Sequence, residues 1–494
     1  MAEFSDLTDM DDLWSLHDRV FALRGMVLSE AQAILTGFGP DAAAMPGIRN
    51  LAHYLALRHH DLRPLQKALM RHGLSSLGRL EARVLPTLDA VLVALAALAG
   101  RDSTAILPDQ GDFFDGERRL EEAADLMFGR TGGARRSRIM VTLPQDAATD
   151  PALLSDLARR GMDIARINCA HDSAQDWEAM AENLETARMA TGRQLHLMMD
   201  IAGPKIRTGD VAMAEKKMKL QTGERIRLLT GDVPRIDETI RFSACVSLPE
   251  MVTRLKVGDR LLYDDGKMEA VVESISDNEA IIRAVRVKAG GVKLKPEKGL
   301  NLPDTALGLS PLTAKDEADM KSVIGLADMI GYSFVSRPED LDLLDRELSA
   351  GGAANPGLGV VAKIERPEAV KNLPALIARA AGKRPFAVMI ARGDLAAEIG
   401  FERLAEMQEE ILWICEAASV PVIWATQVLE SLVKSGVPSR GEMTDAAMGA
   451  RAECVMLNKG PAIGEAVSVL DRLLTRMDAH IFKKTPELRA LKSW

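Results

Sequence analysis

Gly359-Val-Val-Ala-Lys-Ile-Glu365, then a helix-like segment, then Phe386-Ala-Val-Met-Ile-Ala-Arg-Gly-Asp394: this stretch decides how the chain is read. Each end is a short apolar β run, Val360–Ala362 and Phe386–Ala391, that stops abruptly in ionisable residues. These are Lys363 and Glu365 in the first run and Arg392 and Asp394 in the second. A parallel strand buried on both faces has this form and delivers chemistry to the carboxyl end of a sheet or barrel. Two carboxylates from consecutive strands can share one hard divalent cation such as Mg²⁺, with Lys363 facing the anion that the metal holds. The same residues also read as surface ion pairs at strand ends. The two readings stand level until the rest of the chain is considered.

With 494 residues, 47% of them hydrophobic, the chain can bury a large core, and its length predicts roughly two to four domains. Lys and Arg number 62 against 71 Asp and Glu, a mildly acidic balance that argues against nucleic-acid binding. Cys169, Cys245, Cys415 and Cys454 are scattered, form no C-x-x-C and mostly lie in apolar runs, so buried thiols in a reducing compartment are expected. The acidic start lacks the basic and apolar regions of a secretory signal. The longest apolar stretch, Val84–Ala99, is broken by Pro86 and Asp89 and falls short of a membrane span. A soluble, cytoplasmic protein with no membrane partner is the expectation.

Residues 1–135 show helical periodicity, with Leu51, Tyr54, Leu55, Leu62, Leu65 and Leu69 at three- and four-residue spacing. They predict an all-α N-terminal domain, with Asp102–Gly133 as the linker to the next domain. Arg58, His59, His60, Arg63, Lys67, Arg71 and His72 make a local basic face that suits an anionic effector or an acidic partner. A solvated helix face accounts for it better, because the histidines lack metal-site spacing.

From residue 136 the pattern changes to βα units. Arg138–Leu143 is a buried-type strand, and Thr149-Asp150-Pro151 opens a helix that Gly161 closes. Asp163–Asn168 carries Arg166 inside an apolar run, which is costly without an anionic partner and makes Arg166 a phosphate-ligand candidate. Leu195–Met199 runs into Asp200-Ile-Ala-Gly-Pro-Lys205-Ile-Arg207-Thr-Gly. Repeated βα units predict a parallel barrel with its site at the strand carboxyl ends.

Five segments, in order, resemble pyruvate kinase: Ala165–His171, Asp200–Thr208, Val361–Glu365, Ile390–Leu395 and Trp424–Glu430. The resemblance implies a (β/α)8 TIM barrel in two parts, 136–209 and 298–494. Between them, 210–297 switches to period two, as in Glu224–Thr230, Arg260–Tyr263 and Ala280–Val287. This predicts an inserted β domain, which in this family is a small β-barrel lid that closes over the nucleotide and excludes water.

The resemblance further implies phosphoryl transfer from phosphoenolpyruvate to ADP, giving ATP and pyruvate. Glu365 and Asp394 would hold Mg²⁺ or Mn²⁺, and Lys363, Arg166 and Lys298 would neutralise the phosphoryl oxygens. The N–H groups around Gly393 and Asp394 would receive the substrate carboxylate, and Thr426 would stand near the proton-delivery water. His171, Arg207, Lys298 and Asp265 would face the nucleotide. Members are expected as homo-oligomers, dimers or tetramers. Most continue into a C-terminal regulatory domain, which this sequence does not show.

Three departures stand out. Lys205 replaces a glutamate associated with a K⁺ site, and Ala170 replaces a serine that gives an oxygen to K⁺. A fixed ammonium near Asn168 and Asp200 would replace the monovalent cation, so K⁺ is not expected to be required. Met456-Leu-Asn-Lys-Gly-Pro461 replaces the family's Met-Leu-Ser-Gly-Glu-Thr, removing the serine and glutamate tied to the proton relay. Thr142-Leu-Pro-Gln145 replaces the family's first loop near the nucleotide. A metal-dependent pyruvate-enolate aldolase would also need Glu365, Asp394 and Arg166, but has no use for Lys298 on a closing lid. A non-catalytic phosphoenolpyruvate sensor finds support only in the altered Asn458–Pro461 loop.

Overall fold

The computed structural model describes residues 12–132, 135–231, 233–305, 308–350 and 357–486. The acidic start of the chain lies largely outside the described residues. The chain opens with helices α1 (Leu13–Phe38), α2 (Pro40–Ala43), α3 (Pro46–Arg58), α4 (Arg63–Arg71), α5 (Val84–Leu98) and α6 (Gln110–Phe128). Local signals set their ends. Asp12 caps α1 by accepting from the Ser15 N–H at 3.0 Å, and α2 and α3 start on proline, which lacks the N–H that a first turn leaves unpaired.

The stretch 102–133, expected as a linker, instead contains α6. Its Gly, Asp and Arg content hides an apolar stripe: Leu120, Ala124, Met127 and Phe128 are buried, and Asp109 caps the helix. Gly116 is the point of closest approach, since a Cβ there would overlap the Ala82 carbonyl. Ala124, Met127 and Phe128 pack with Met140, Ile164, Met198, Met329 and Met456 in the barrel interior, so α6 plugs the barrel base. Burying Met127 and Phe128 contributes about 1.5–3 kcal/mol each.

The barrel begins with β1 (Arg138–Thr142), α7 (Pro151–Arg160), β2 (Ile164–Asn168), α8 (Ala174–Thr191) and β3 (His196–Asp200). An inserted unit comes next: β4 (Thr208–Met213), β5 (Arg225–Leu229), β6 (Phe242–Val246), α9 (Glu250–Arg254), β7 (Arg260–Tyr263), β8 (Met268–Ser276), β9 (Glu279–Val287) and β10 (Leu300–Asn301). The chain then returns through α10 (Ala314–Leu326), β11 (Met329–Tyr332), α11 (Pro338–Ala350), β12 (Gly359–Ile364), α12 (Pro367–Ala380), β13 (Phe386–Ala391), α13 (Arg392–Ile399) and α14 (Phe401–Ala418). Last come β14 (Val422–Ala425), α15 (Glu430–Ser435), α16 (Arg440–Gly449), β15 (Cys454–Leu457), α17 (Ile463–Met477) and a hairpin of β16 (Ile481–Phe482) and β17 (Thr485–Pro486).

Eight parallel strands close in the order β1-β15-β14-β13-β12-β11-β3-β2. Their runs are buried on both faces, facing the helices outside and a methionine-rich interior inside. The inserted strands form a seven-stranded mixed sheet, β10-β7-β8-β9-β5-β6-β4, with its own core around Phe242, Ile226, Tyr263 and Ile282. Burial alternates along β8 and β9, as a half-exposed sheet requires. All four cysteines are buried free thiols. Among the described residues no helix is long and apolar enough to cross a membrane.

The N-terminal helices dock on α14. The Asn50 amide donates to the Glu81 and Ala417 carbonyls at 2.6 and 2.8 Å and its oxygen accepts from Val84 N–H at 3.0 Å. Part of the basic face of the sequence is engaged within this region: His59 and His60 both reach Glu30, Arg63 reaches Asp61, and Arg58 lies over Trp413. Glu416 of α14 is buried at this seam near Lys483, Glu81, Lys484 and Glu453. Burial pushes its carboxyl from 4.5 up to about 8, with Lys483 opposing and Glu81 adding. A folded-state value above the unfolded one favours the fold fully below pH ~4.5, and that contribution is lost as pH rises through about 8. Glu416→Gln is therefore expected to remove several degrees of the drop in melting temperature between about pH 5 and 8. A drop as steep as that of the unsubstituted protein would contradict this.

Candidate active site

The strand ends bring Arg166, Asp200, Ser333, Lys363 and Glu365 into one buried cluster; Asp200 is 1% exposed and Glu365 2%. The register explains the meeting. Arg166 sits opposite Thr142 of β1 and Asp200 sits opposite Gly331 of β11, while Ser333 lies just past the end of β11. Gly331 is needed there, because a Cβ would lie 2.8 Å from Asp200 Oδ1.

Arg166 donates to Asp200 through Nε at 3.1 Å and also through Nη2, and its Nη1 reaches Thr142 Oγ1 at 2.9 Å. Lys363 Nζ donates to Ser333 Oγ at 2.7 Å and lies 3.2 Å from Asp200 Oδ1 and 3.0 Å from Glu365 Oε1. Glu365 Oε2 accepts the Phe334 N–H at 2.7 Å. Burial alone would raise Asp200, but Lys363 and Arg166 hold its carboxyl below the ordinary value. Lys363 is held charged against burial by Asp200 and Glu365. Glu365 is pushed up, first by burial and also by Asp394, with Lys363 opposing.

Asp394 lies in the first turn of α13, the element after Glu365's neighbouring strand. Its carboxyl is held low against burial by Lys205, whose Nζ bonds both oxygens at 2.7 and 3.0 Å. The bonded partner of Lys205 is thus Asp394, a residue that the expectation of an ammonium near Asn168 and Asp200 does not name. Asp200 is already engaged by Arg166 and Lys363, and Asn168 Oδ1 accepts the Ala170 N–H at 3.1 Å. Among the described residues no other cation is bonded to Asp394.

Gly393 fits beneath Thr426, where a Cβ would lie 2.7 Å from Thr426 Cγ2. Thr426 is itself left-handed at φ 71, and its carbonyl accepts from Arg392 Nη2 at 2.7 Å. Arg392 is clamped by Asp445 and lies over the Trp424 ring, which fixes the loop carrying Thr426.

The inserted unit overhangs this end of the barrel. Asp264 and Asp265 turn with φ 50 and 56, and Lys298 Nζ lies 3.1 Å from Asp264 Oδ1. Lys298 is thus paired with Asp264 on the lid rather than aimed at the cluster. Asp265, the next residue of that turn, has its carboxyl raised by desolvation and by the charges of Asp394 and Asp264, while Lys205 opposes. Arg207 donates to the Glu297 carbonyl at 3.1 Å, where the chain re-enters the barrel. Across the mouth, His171 is held below its ordinary value by burial and by the charges of Lys459 and Arg207.

Sequence reasoning missed Ser333, Asn301 and Lys459. Ser333 bridges Lys363 to the Ile201 carbonyl, donating to the latter at 2.6 Å, and a hydroxyl directly after a buried strand was its signal. Asn301 donates to Glu398 at 3.2 Å and helps hold Asp394 low. Lys459 was legible only as a change in the last loop.

The closed parallel barrel, with an overhanging β unit, thus carries at its strand ends a lysine–arginine–carboxylate cluster suited to holding an anion beside a cation. The family model described as pyruvate kinase, barrel domain, matches residues 134–467. A pyruvate kinase of Agrobacterium vitis is 34% identical over 366 residues, covering 72% of each chain. One from Corynebacterium glutamicum is 32% identical over 346 residues, covering 69% of each. A crystal structure of a pyruvate kinase from Cryptosporidium parvum superposes with a TM-score of 0.62 at 26% identity, covering 72% of this chain and 73% of that one. The chain belongs to the pyruvate kinase family.

Proposed function

We propose that this chain transfers the phosphoryl group of phosphoenolpyruvate to ADP, forming ATP and pyruvate, and does so without K⁺. The observation that carries the second half is the bond of Lys205 to both oxygens of Asp394, a fixed cation beside the carboxylates. Glu365 and Asp394 fit a divalent ion: both are hard oxygen donors, and their charges repel across the site, a repulsion that a cation between them relieves. Mg²⁺ or Mn²⁺ held there supplies Lewis-acid stabilisation of negative charge on substrate oxygens.

The chain's own groups do the rest. Lys363 and Arg166 neutralise the phosphoryl oxygens, in a pocket whose low dielectric strengthens each contact. Lys298 joins them when the inserted unit shifts it from Asp264 towards the barrel. The first N–H groups of α13, around Gly393 and Asp394, receive the substrate carboxylate. His171, Arg207 and Lys459 form the cationic edge for the nucleotide phosphates, with Asp265 on the lid above. The Thr426 hydroxyl, which has no hydrogen-bond partner among the described residues, orders the water that protonates the enolate. Asn458-Lys459-Gly-Pro461 offers no carboxylate or serine for that step.

Mn²⁺ titration followed by electron paramagnetic resonance tests the metal ligands. Glu365→Gln and Asp394→Asn are each expected to weaken Mn²⁺ binding at least ~10-fold. Unchanged binding in both variants would remove these residues from the site.

A further inference from the structure

Helix α1 carries two apolar stripes, one more than the fold uses. Leu16, Val20, Leu23, Val27 and Ala31 are buried on the side that faces α3 and α5. Arg24 and Glu30, the charged residues between Arg19 and the end of the helix, turn inward on either side of that stripe. Arg24 pairs with Asp89 of α5, and Glu30 meets His59 and His60 at the end of α3. The opposite face is left to solvent for about four turns without an ionised side chain. Ala22, Gly25, Ser29, Gln32 and Thr36 lie along it, all exposed, and Phe21 and Leu28 stand beside them with 53% and 39% of their surface in water. In a chain with 27% charged residues, an uncharged outer face on a 26-residue helix is a surface made for a partner.

The spacing fixes the kind of partner. Positions 22, 25, 29, 32 and 36 alternate steps of three and four, the period of about 3.5 that keeps a seam turned towards a second helix. Gly25 stands near the middle of this seam. A glycine weakens the middle of a helix, and a Cβ there would meet nothing within 4 Å, so no contact inside this chain calls for it. A second backbone approaching closely does.

The order of the side chains then selects a second copy of α1, run antiparallel. A two-fold axis at Gly25 sets Phe21 over Ser29 and Leu28 over Ala22 of the other helix, so each large side chain meets a small one. It also sets the Asp18 carboxylate opposite the Gln32 amide. A shallow concavity of about 410 Å³, with Trp14, Asp18, Arg19 and Ala22 in its wall, lies where Leu28 of the second copy arrives. A parallel pair would instead stack Phe21 on Phe21 and align the two macrodipoles. The chain's own first residues fit this face poorly, because Glu3, Asp6, Asp9 and Asp11 would find no cation on it.

We propose that the outer face of α1 is an interface between two copies of this chain, an antiparallel helix pair crossing at Gly25. Four turns of helix are small beside the ~1,600 Å² that a typical stable complex buries, so the pair is reversible and forms as concentration rises. The proposal stands whatever reaction the barrel performs.

Analytical ultracentrifugation of the full chain over a range of concentrations tests it. The average mass of the unsubstituted protein is expected to rise with concentration. Phe21→Glu/Leu28→Glu is expected to weaken that association at least ~10-fold, because it puts carboxylates into an uncharged seam. Both side chains are exposed, and circular dichroism checks that the variant folds. Cross-linking tests the geometry. The four native cysteines are buried, so Gly25→Cys supplies the one exposed thiol and is expected to give disulfide-linked dimers on mild oxidation. Thr36→Cys, about 16 Å along the helix from the axis, is expected to give none. An association that the double variant leaves unchanged, no cross-link through Gly25→Cys, or cross-linking through Thr36→Cys overturns the proposal.

Discussion

Lys363→Met is expected to lower kcat by at least ~10²–10³-fold, the usual loss when one preorganised electrostatic contact to developing charge is removed. The ammonium is surrounded by Ser333 Oγ at 2.7 Å, Glu365 Oε1 at 3.0 Å and Asp200 Oδ1 at 3.2 Å. Methionine fills the space and leaves Asp200 with Arg166 alone and Glu365 with no cation bonded to it among the described residues. Breaking a buried pair by removing one partner costs about 3–5 kcal/mol, so the melting temperature should fall as well. Kinetics measured well below that transition separate the two effects, and kcat should fall far more than KM rises. Activity within ten-fold of the unsubstituted protein would take Lys363 out of the chemistry.

The second large effect is expected at Lys205. Lys205→Glu puts a carboxylate where an ammonium now holds Asp394, with Asp265 overhead on the lid. Two like charges about 4 Å apart at an effective dielectric near 20 repel by ~4 kcal/mol. Turnover without K⁺ should therefore fall by about 10²-fold or more, and added K⁺ should restore most of it by occupying the space between the carboxylates. A Lys205→Glu enzyme as active without K⁺ as its parent would show that the ammonium does not stand in for a monovalent ion.

How much of this was legible in the sequence depends on how local each signal is. Strands β12 and β13 could be read because every residue in them is apolar until the functional group appears, and a strand buried on both faces permits no other pattern. Arg166 announced itself by its cost: a guanidinium inside an apolar run needs a carboxylate, and Asp200 supplies it. Helix α6 was masked, because the residues facing solvent outnumber the stripe that plugs the barrel, and composition reports the majority.

The ion-pair partner of Lys205 could not be read from the sequence. The resemblance sets the ammonium near Asn168 and Asp200, but Arg166 and Lys363 engage the Asp200 carboxylate and Asp394 arrives from a distant part of the chain. Lys298 was similar: its motif says which residue re-enters the barrel, not that a left-handed turn on the lid presents Asp264 to it. Pairings fixed by three-dimensional competition among charges leave no mark in sequence spacing.

The most direct measurement is the rate of pyruvate and ATP formation from phosphoenolpyruvate, ADP and Mg²⁺ in a buffer free of K⁺, repeated with K⁺ added. The account predicts full turnover in the K⁺-free buffer and less than a two-fold change on addition. A steep requirement for K⁺, or no transfer in either buffer despite metal-dependent binding of phosphoenolpyruvate, would contradict it.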